Sequence, residues 1–313
     1  MTLADLPFSD IYLGVQGVSW LSGMPGTLDP VPSPLEVREE LRMLRSLCDE
    51  TANDTGKSEF RVRESGVVYR VSTIHSLEDT VYVLRRFPSK IPKIDSLNLH
   101  PFVIDKLLEK GLTGLIVVSG AFGQGKTTTA SAVIVGRLER HGGVAVTIED
   151  PPEMPLEGRH GEGVCYQTAV DQGGFSQGCR NAARWAPSII FLGEIRDDES
   201  ATEALRASIN GRLVICTTHA DSVITTVERL YSLSNGIAGN ADDVASLLSQ
   251  GLTAVVHQKL VGEKEKRPKI EFLFLSGESQ HSARNMIRLK RFEQLGSEIT
   301  FQANRMMLAP KGQ

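Results

Sequence analysis

The run "GLIVVSGAFGQGKTTTASAVIVGRLERHG" constrains this chain more than any other. Gly120 to Thr127 match GxxxxGK[ST]; the apolar stretch before them reads as a buried strand, and the stretch after them as a helix. Each residue type has a physical reason to be there. Glycines at 120, 123 and 125 let backbone N–H groups approach phosphate without Cβ clashes, and the helix N-terminus adds partial positive charge. In this pattern Lys126 reaches the β- and γ-phosphates and the Thr127 hydroxyl ligates magnesium.

The segments around the loop set the fold class. A short helix "FVIDKLLEKG" precedes the loop's strand. Beyond the loop come the strand "VAVTIED", a polar loop, a helix near residues 176–185, the strand "SIIFLGE", the helix "DESATEALRASING" and the strand "RLVICTTH". Continuous apolar strands alternating with helices predict an α/β unit whose parallel sheet is covered on both faces. From about residue 240 the chain reads as helices with one strand, "KIEFLFLS".

The first hundred residues follow a different pattern. Residues 14–34 are rich in Gly and Pro and read as loop. "SPLEVREELRMLRSLCDE" reads as an amphipathic helix with Ser33 at the N-cap, Pro34 at N1, and Leu35, Leu41, Leu44 and Cys48 near one face. "EFRVRESGVVYRVS" alternates like a hairpin around Glu-Ser-Gly, and "TVYVLRRF" supplies another strand, so a small α+β domain is expected. Pro88, Pro92 and Pro101 mark a linker around 88–100, giving domains 1–92 and 93–313. Two domains also suit a length of 313 residues.

A net charge of −4 offers no electrostatic reason for nonspecific nucleic-acid binding. Cys48, Cys165, Cys179 and Cys216 form no CxxC pair, which fits reduced thiols in a cytoplasmic protein. No window approaches the roughly 18 apolar residues of a membrane span, so membrane association is expected through partners.

Ligands of open parallel sheets bind outside the carboxyl ends of the strands. Three strands here end in suitable groups: Glu149, Asp150 and Glu153 after "VAVTI", Glu194 after "IIFLG", and His219 after "LVICTT". Phosphoryl transfer to water needs magnesium, a carboxylate that orients the water, and positive charge at the transition state. Glu194 follows an apolar run as a magnesium-side acid does, leaving Glu149 or Glu153 for the water, and His219 to bond the γ-phosphate. Arg61, Arg63, Arg85 and Arg86 are mostly solvated strand-face charges, one or two of which are candidates for transition-state stabilisation.

These motifs, taken in order, resemble the type II/type IV secretion ATPases, and within them the PilT-like pilus retraction motors and DotB-like secretion relatives. "SDIYL", "FRVRES" and "VLRRFPSK" resemble N-domain strands of that family. "SGAFGQGKTTT" resembles its Walker A, "TIEDPPE" its Asp box, "RNAARWAPSIIFLGEIRD" its Walker B region, and "TTHADS" its His box. The resemblance implies a PAS-like N-terminal domain, a RecA-like ATPase domain and a homohexamer. It implies ATP with Mg2+ as ligands, and an inner-membrane platform protein as partner to a cytoplasmic, peripheral enzyme. It carries nucleotide roles onto Gly120, Ala121, Phe122, Gly123, Gln124, Gly125, Lys126, Thr127 and Thr128, and onto Glu149, Glu153, Glu194 and His219. It also carries arginine roles onto Arg61 and Arg85, and matches Arg180 and Arg184 to arginines before the Walker B strand.

"SARNMIRLKR" resembles the retraction motors' C-terminal "AIRNLIRE" element, and the zinc-binding tetracysteine insert of assembly motors is absent. Departures include Ala121, Phe122 and Gln124 where retraction motors usually carry Pro, Thr and Ser, Ala220 and Asp221 in the His box, and a long Gly-rich stretch after the Asp box. The expectation is an ATP-driven retraction motor at the base of a type IV pilus, or alternatively a DotB-like motor of secretion or conjugative transfer. A nucleic-acid motor and a non-hydrolysing ring adaptor are the rival classes.

Overall fold

The computed structural model describes residues 2–14, 19–77, 79–170, 174–238, 240–262, 266–276 and 280–308. The chain divides into two compact units, Met1–Ser89 and Lys90–Gln313.

The first unit is a six-stranded antiparallel sheet with one long helix. Its elements are β1 (Asp10–Leu13), β2 (Ser19–Ser22), β3 (Val31–Pro32), α1 (Arg38–Thr55), β4 (Glu59–Glu64), β5 (Val67–His75) and β6 (Thr80–Arg86), in sheet order β3-β2-β1-β6-β5-β4. The region expected to be loop thus contains β2 and β3, while its residues 15–18 lie outside the described residues. A two-residue strand and a four-residue one leave too short an alternation to register among Gly and Pro.

The α1 helix begins at Arg38 rather than after Ser33. A 3-10 turn, Leu35–Val37, comes first, and Leu35 is exposed. Leu41, Leu44 and Cys48 are buried against Ile11, Leu21, Tyr69, Val71 and Leu84, as the 3.6-residue spacing predicts. The β4–β5 hairpin turns at Ser65 and Gly66.

The second unit is built on an eight-stranded sheet. Its elements in chain order are α2 (Pro101–Leu107), β7 (Gly114–Ser119), α3 (Lys126–His141), β8 (Gly143–Glu149), β9 (Gly158–His160), β10 (Gly163–Ala169), α4 (Phe175–Trp185), β11 (Ile189–Ile195), α5 (Asp198–Ser208), β12 (Leu213–Thr218), α6 (Val223–Ala238), α7 (Ala241–Gly251), β13 (Leu252–Val261), β14 (Arg267–Phe274), α8 (Gln280–Arg288) and α9 (Leu295–Leu308). The strand order is β14-β13-β7-β12-β11-β8-β10-β9. Pairing is parallel from β13 to β10, with antiparallel β14 and β9 at the edges. Two buried clusters cover its faces. One joins Leu115, Val117, Leu192 and Cys216 to α5, α6 and α7, and the other joins Ile116, Val118, Phe191 and Ile215 to α2 and α3.

Two strands depart from the sequence reading. The expected polar loop after β8 contains β9 and β10, and the tail contains β13 paired in parallel with β7. β13 is buried over Leu252–Gln258, and an apolar run directly after a helix cannot be told from more helix by periodicity. The expected linker also contributes structure, because the 3-10 turn Ile94–Leu97 buries Ile94 in the α3 cluster.

Arg284 gives the C-terminal basic segment a structural role. Its guanidinium donates to the carbonyls of Ser249 and Gln250 at the end of α7 and to Leu275 O beyond β14, satisfying carbonyls that a helix end leaves open. The four thiols are buried, and burial raises those of Cys48, Cys165 and Cys179 to about 12, so they stay protonated and poorly nucleophilic. No described helix is long and apolar enough to cross a membrane.

Candidate nucleotide site

The loop between β7 and α3 is the centre of the site. Lys126, the first residue of α3, is 7% exposed. Its Nζ donates to Ala121 O at 3.1 Å, so the ammonium curls back over the loop, and it lies 3.3 Å from His219 Nδ1. Burial holds this ammonium below the usual lysine range, opposed by the charges of Glu194 and Glu153.

Glu194 owes its position to an irregularity in β11. The β11–β12 ladder shifts register between Leu192 and Ile195, and the hydroxyls of Thr217 and Thr218 donate to Gly193 O and Ile195 O at 2.7 and 2.9 Å. A bulge re-aims the side chain it carries. Glu194 Oε2 accepts from Arg196 Nε at 2.6 Å, and Oε1 lies 2.8 Å from His219 Nε2. Nδ1 of the neutral imidazole can accept from the Lys126 ammonium, while Nε2 stands within ion-pair distance of Glu194. Arg196, Glu194, His219 and Lys126 therefore form a continuous polar chain. Burial lowers the affinity of Arg196 for its proton, but the hydrogen bond and charge of Glu194 outweigh this and the net shift is upward.

The segment carrying His219 is anchored where it enters α6. Thr225 Oγ1 accepts from the Ser222 amide at 2.9 Å, and Glu271 Oε2 on β14 accepts from the Val223 amide at 2.8 Å. The Phe122 ring lies parallel to that of His219, with centroids 6.3 Å apart and 11° between planes.

The other two acids separate. Glu153 Oε2 accepts from Thr127 Oγ1 at 2.8 Å, which brings it to the hydroxyl that the loop pattern assigns to magnesium. Glu149, 1% exposed at the end of β8, receives Gln167 Nε2 on its Oε1 at 2.9 Å. The same Gln167 amide donates to Met154 O at 2.7 Å, tying the loop after β8 to β10.

Magnesium characteristically keeps several waters and takes one or two carboxylates plus substrate phosphates. A hydroxyl in contact with one carboxylate, with a second acid on the adjacent strand, suits that donor set. No group of three or more His, Cys, Asp or Glu that could hold a metal occurs among the described residues.

The expected arginines lie on several elements. Arg61 stacks over the Phe87 ring at 5.3 Å, and Arg85 Nε donates to Asp10 Oδ1 at 2.7 Å. Arg86 is structural: it donates to the carbonyls of Leu3, Ala4 and Leu6 and packs over Phe8. Arg180 on α4 donates to Ser176 Oγ and Gln177 Oε1; Arg184 lies in the last turn of that helix.

Three residues at the site escaped the sequence reading. Arg196 stood in the quoted "GEIRD" without a role; Gln167 lay in a stretch read as loop, and Gln258 of β13 in a tail read as helix.

A glycine-rich loop at a strand-to-helix junction, with acids and a histidine at the neighbouring strand ends, defines a P-loop nucleotide-binding α/β protein. The chain belongs to the type II/IV secretion system protein family, whose model matches residues 37–298. It is 37% identical over 184 residues to the uncharacterized protein YggR of Escherichia coli (strain K12), covering 58% of this chain and 55% of that one. To the type IV pilus ATPase PilU of Pseudomonas aeruginosa (strain PAO1) it is 31% identical over 263 residues, covering 80% of this chain and 65% of PilU. The chain therefore spans between about half and two thirds of the length of these relatives. The structure of the pilus retraction motor PilT with bound ADP superimposes with a TM-score of 0.77 at 27% identity, covering 94% of this chain and 86% of that one. The second unit accordingly has a RecA-like α/β fold.

Proposed function

We propose that this chain hydrolyses ATP as a homohexameric motor at the cytoplasmic base of a type IV pilus, driving retraction, with residues 1–92 as a PAS-like domain and 93–313 as the motor domain. The observation that carries this reading is the convergence of Lys126, Thr127, Glu153, Glu194 and His219 on one loop. The likeness to PilT and PilU supports the pilus assignment.

In this reading the loop from Gly120 to Thr128 holds the phosphates, with Lys126 as the charge on the β- and γ-oxygens. Thr127, Glu153 and Glu194 face the metal, which when bound neutralises charge on the transferring phosphoryl group. Glu149 orients the attacking water, its carboxylate steadied by Gln167. His219, between Lys126 and Glu194, senses whether the γ-phosphate is present. Arg61, Arg85, Arg180 and Arg184 carry the family's arginine roles, and an inner-membrane platform protein receives the force.

A second reading, a motor for type IV secretion or conjugative transfer, is favoured by the secretion systems that the family's description covers. Deleting the gene and scoring surface pili, pilus-dependent phage infection and substrate transfer together separates the two. Excess pili with lost phage sensitivity are expected. Normal pili with lost transfer would overturn retraction in favour of secretion, and missing pili would place the motor in assembly.

A further inference from the structure

β13 grips the phosphate loop through contacts that the nucleotide roles above do not use. Gln258, 2% exposed, has both ends of its amide engaged: Oε1 accepts from Thr129 Oγ1 at 2.7 Å and Nε2 donates to the Gln124 carbonyl at 2.5 Å. Gln124 answers with its own side chain, whose Oε1 accepts from the Leu260 amide at 2.6 Å. At the start of the loop, Gly120 lies so close to the same strand that a Cβ there would meet Gln258 O at 2.3 Å. The first glycine, the middle of the loop and the first turn of α3 are thus all held by one residue and its second neighbour on β13.

We propose that Gln124 and Gln258 form an amide clasp that fixes the curve of the phosphate loop, making both side chains positioning residues for nucleotide binding. The peptide between residues 124 and 125 is planar and trans, so its C=O and N–H point in opposite directions. Anchoring the Gln124 carbonyl on Gln258 therefore aims the Gly125 N–H away from β13 and prevents the peptide from flipping. A loop already held in shape avoids paying the ordering cost when phosphate arrives. Gln124 has the length to reach the strand backbone; a serine at this position would be too short, so the residue that departs from the family pattern is the one that closes the clasp. The inference rests on the reading that this loop binds nucleotide, and deepens it.

The test uses the full chain with Mg2+ and a fluorescent ADP, comparing Gln258→Met, Gln258→Glu, Gln124→Ser and the double variant Gln124→Ser/Gln258→Met. Gln258→Met keeps the volume and loses both bonds; Gln258→Glu keeps the acceptor for Thr129 and loses the donor to Gln124. Two lost hydrogen bonds correspond to about a tenfold rise in Kd and KM. Saturated kcat is expected within about threefold of wild type, the split that marks lost ground-state binding. Gln124→Ser is expected to raise Kd about threefold, and the double variant to fall short of the product of the two, because the bonds share one clasp. Unfolding midpoints without nucleotide identify a structural role. Variants that melt earlier yet bind ADP with wild-type Kd would overturn the clasp as a positioning device. Lys126→Ala separates the two levels. If it too leaves Kd unchanged, the nucleotide site itself is misplaced; if it weakens binding while the glutamine variants do not, only the clasp fails.

Discussion

Glu194→Gln is expected to lower ATP turnover by about 10–100-fold while nucleotide affinity stays within a few-fold of wild type. The substitution keeps the shape and one acceptor oxygen but removes the charge at the middle of the chain from Arg196 through His219 to Lys126. Arg196 then loses its ion-pair partner, and the water shell of the metal loses a negative acceptor. Lys126 and the backbone of the loop, which in the proposed reading carry most of the phosphate affinity, stay in place, the Lys126 ammonium losing only the support of the Glu194 charge. Steady-state phosphate release and titration with a fluorescent nucleotide read the two quantities separately. Equal loss of turnover and affinity would place Glu194 in ground-state binding, and unchanged turnover would remove it from the chemistry.

Gly120→Ala is expected to abolish nucleotide binding and to destabilise the chain by about 1–3 kcal/mol. The first loop glycine is at φ 152° against β13, and the atom a Cβ would meet at 2.3 Å is the Gln258 carbonyl oxygen, part of a hydrogen-bonded strand rather than the free end of a side chain. Relief requires the loop or β13 to move, and either movement breaks the contacts from Gln258 to Gln124 and Thr129. Gly111→Ala is the control. It too is at positive φ, but a Cβ there meets nothing within 4 Å, so it is expected to cost only about 1 kcal/mol and to leave binding intact. Calorimetric unfolding and ADP titration of both variants check the pair; wild-type ADP affinity in Gly120→Ala would show that the loop does not depend on its seat against β13.

The alternation of strand and helix through β7, β8, β11 and β12 was legible because the cores of these strands are apolar on both faces and each helix has one buried side; β9 and β10, exposed or half-buried along much of their length, read as loop. The acids and His219 were legible for a related reason: strand ends are where a parallel sheet leaves polar groups free to face a ligand. What brings these groups together was not. Glu153 and Thr127 are 26 residues apart and meet only because the loop after β8 returns to the start of α3. Single glutamines carry no periodic signal, so Gln167 and Gln258 became visible only when β10 and β13 put one beside Glu149 and the other beneath the loop. Arg86 read as a strand-face charge in sequence and Arg284 as part of a family-like C-terminal element, and both turn out to be donors to backbone carbonyls of other segments of the chain.

Hydrolysis at this loop is tested most directly by Mg2+-dependent phosphate release from the purified chain, comparing wild type with Lys126→Ala at matched unfolding midpoints. Lys126 is buried over the loop and in contact with His219, and in the proposed reading its loss removes the positive charge on which the phosphates rest. Release is expected to fall by at least about a hundredfold. Undiminished release by Lys126→Ala would contradict the assignment of this loop as the site of ATP hydrolysis.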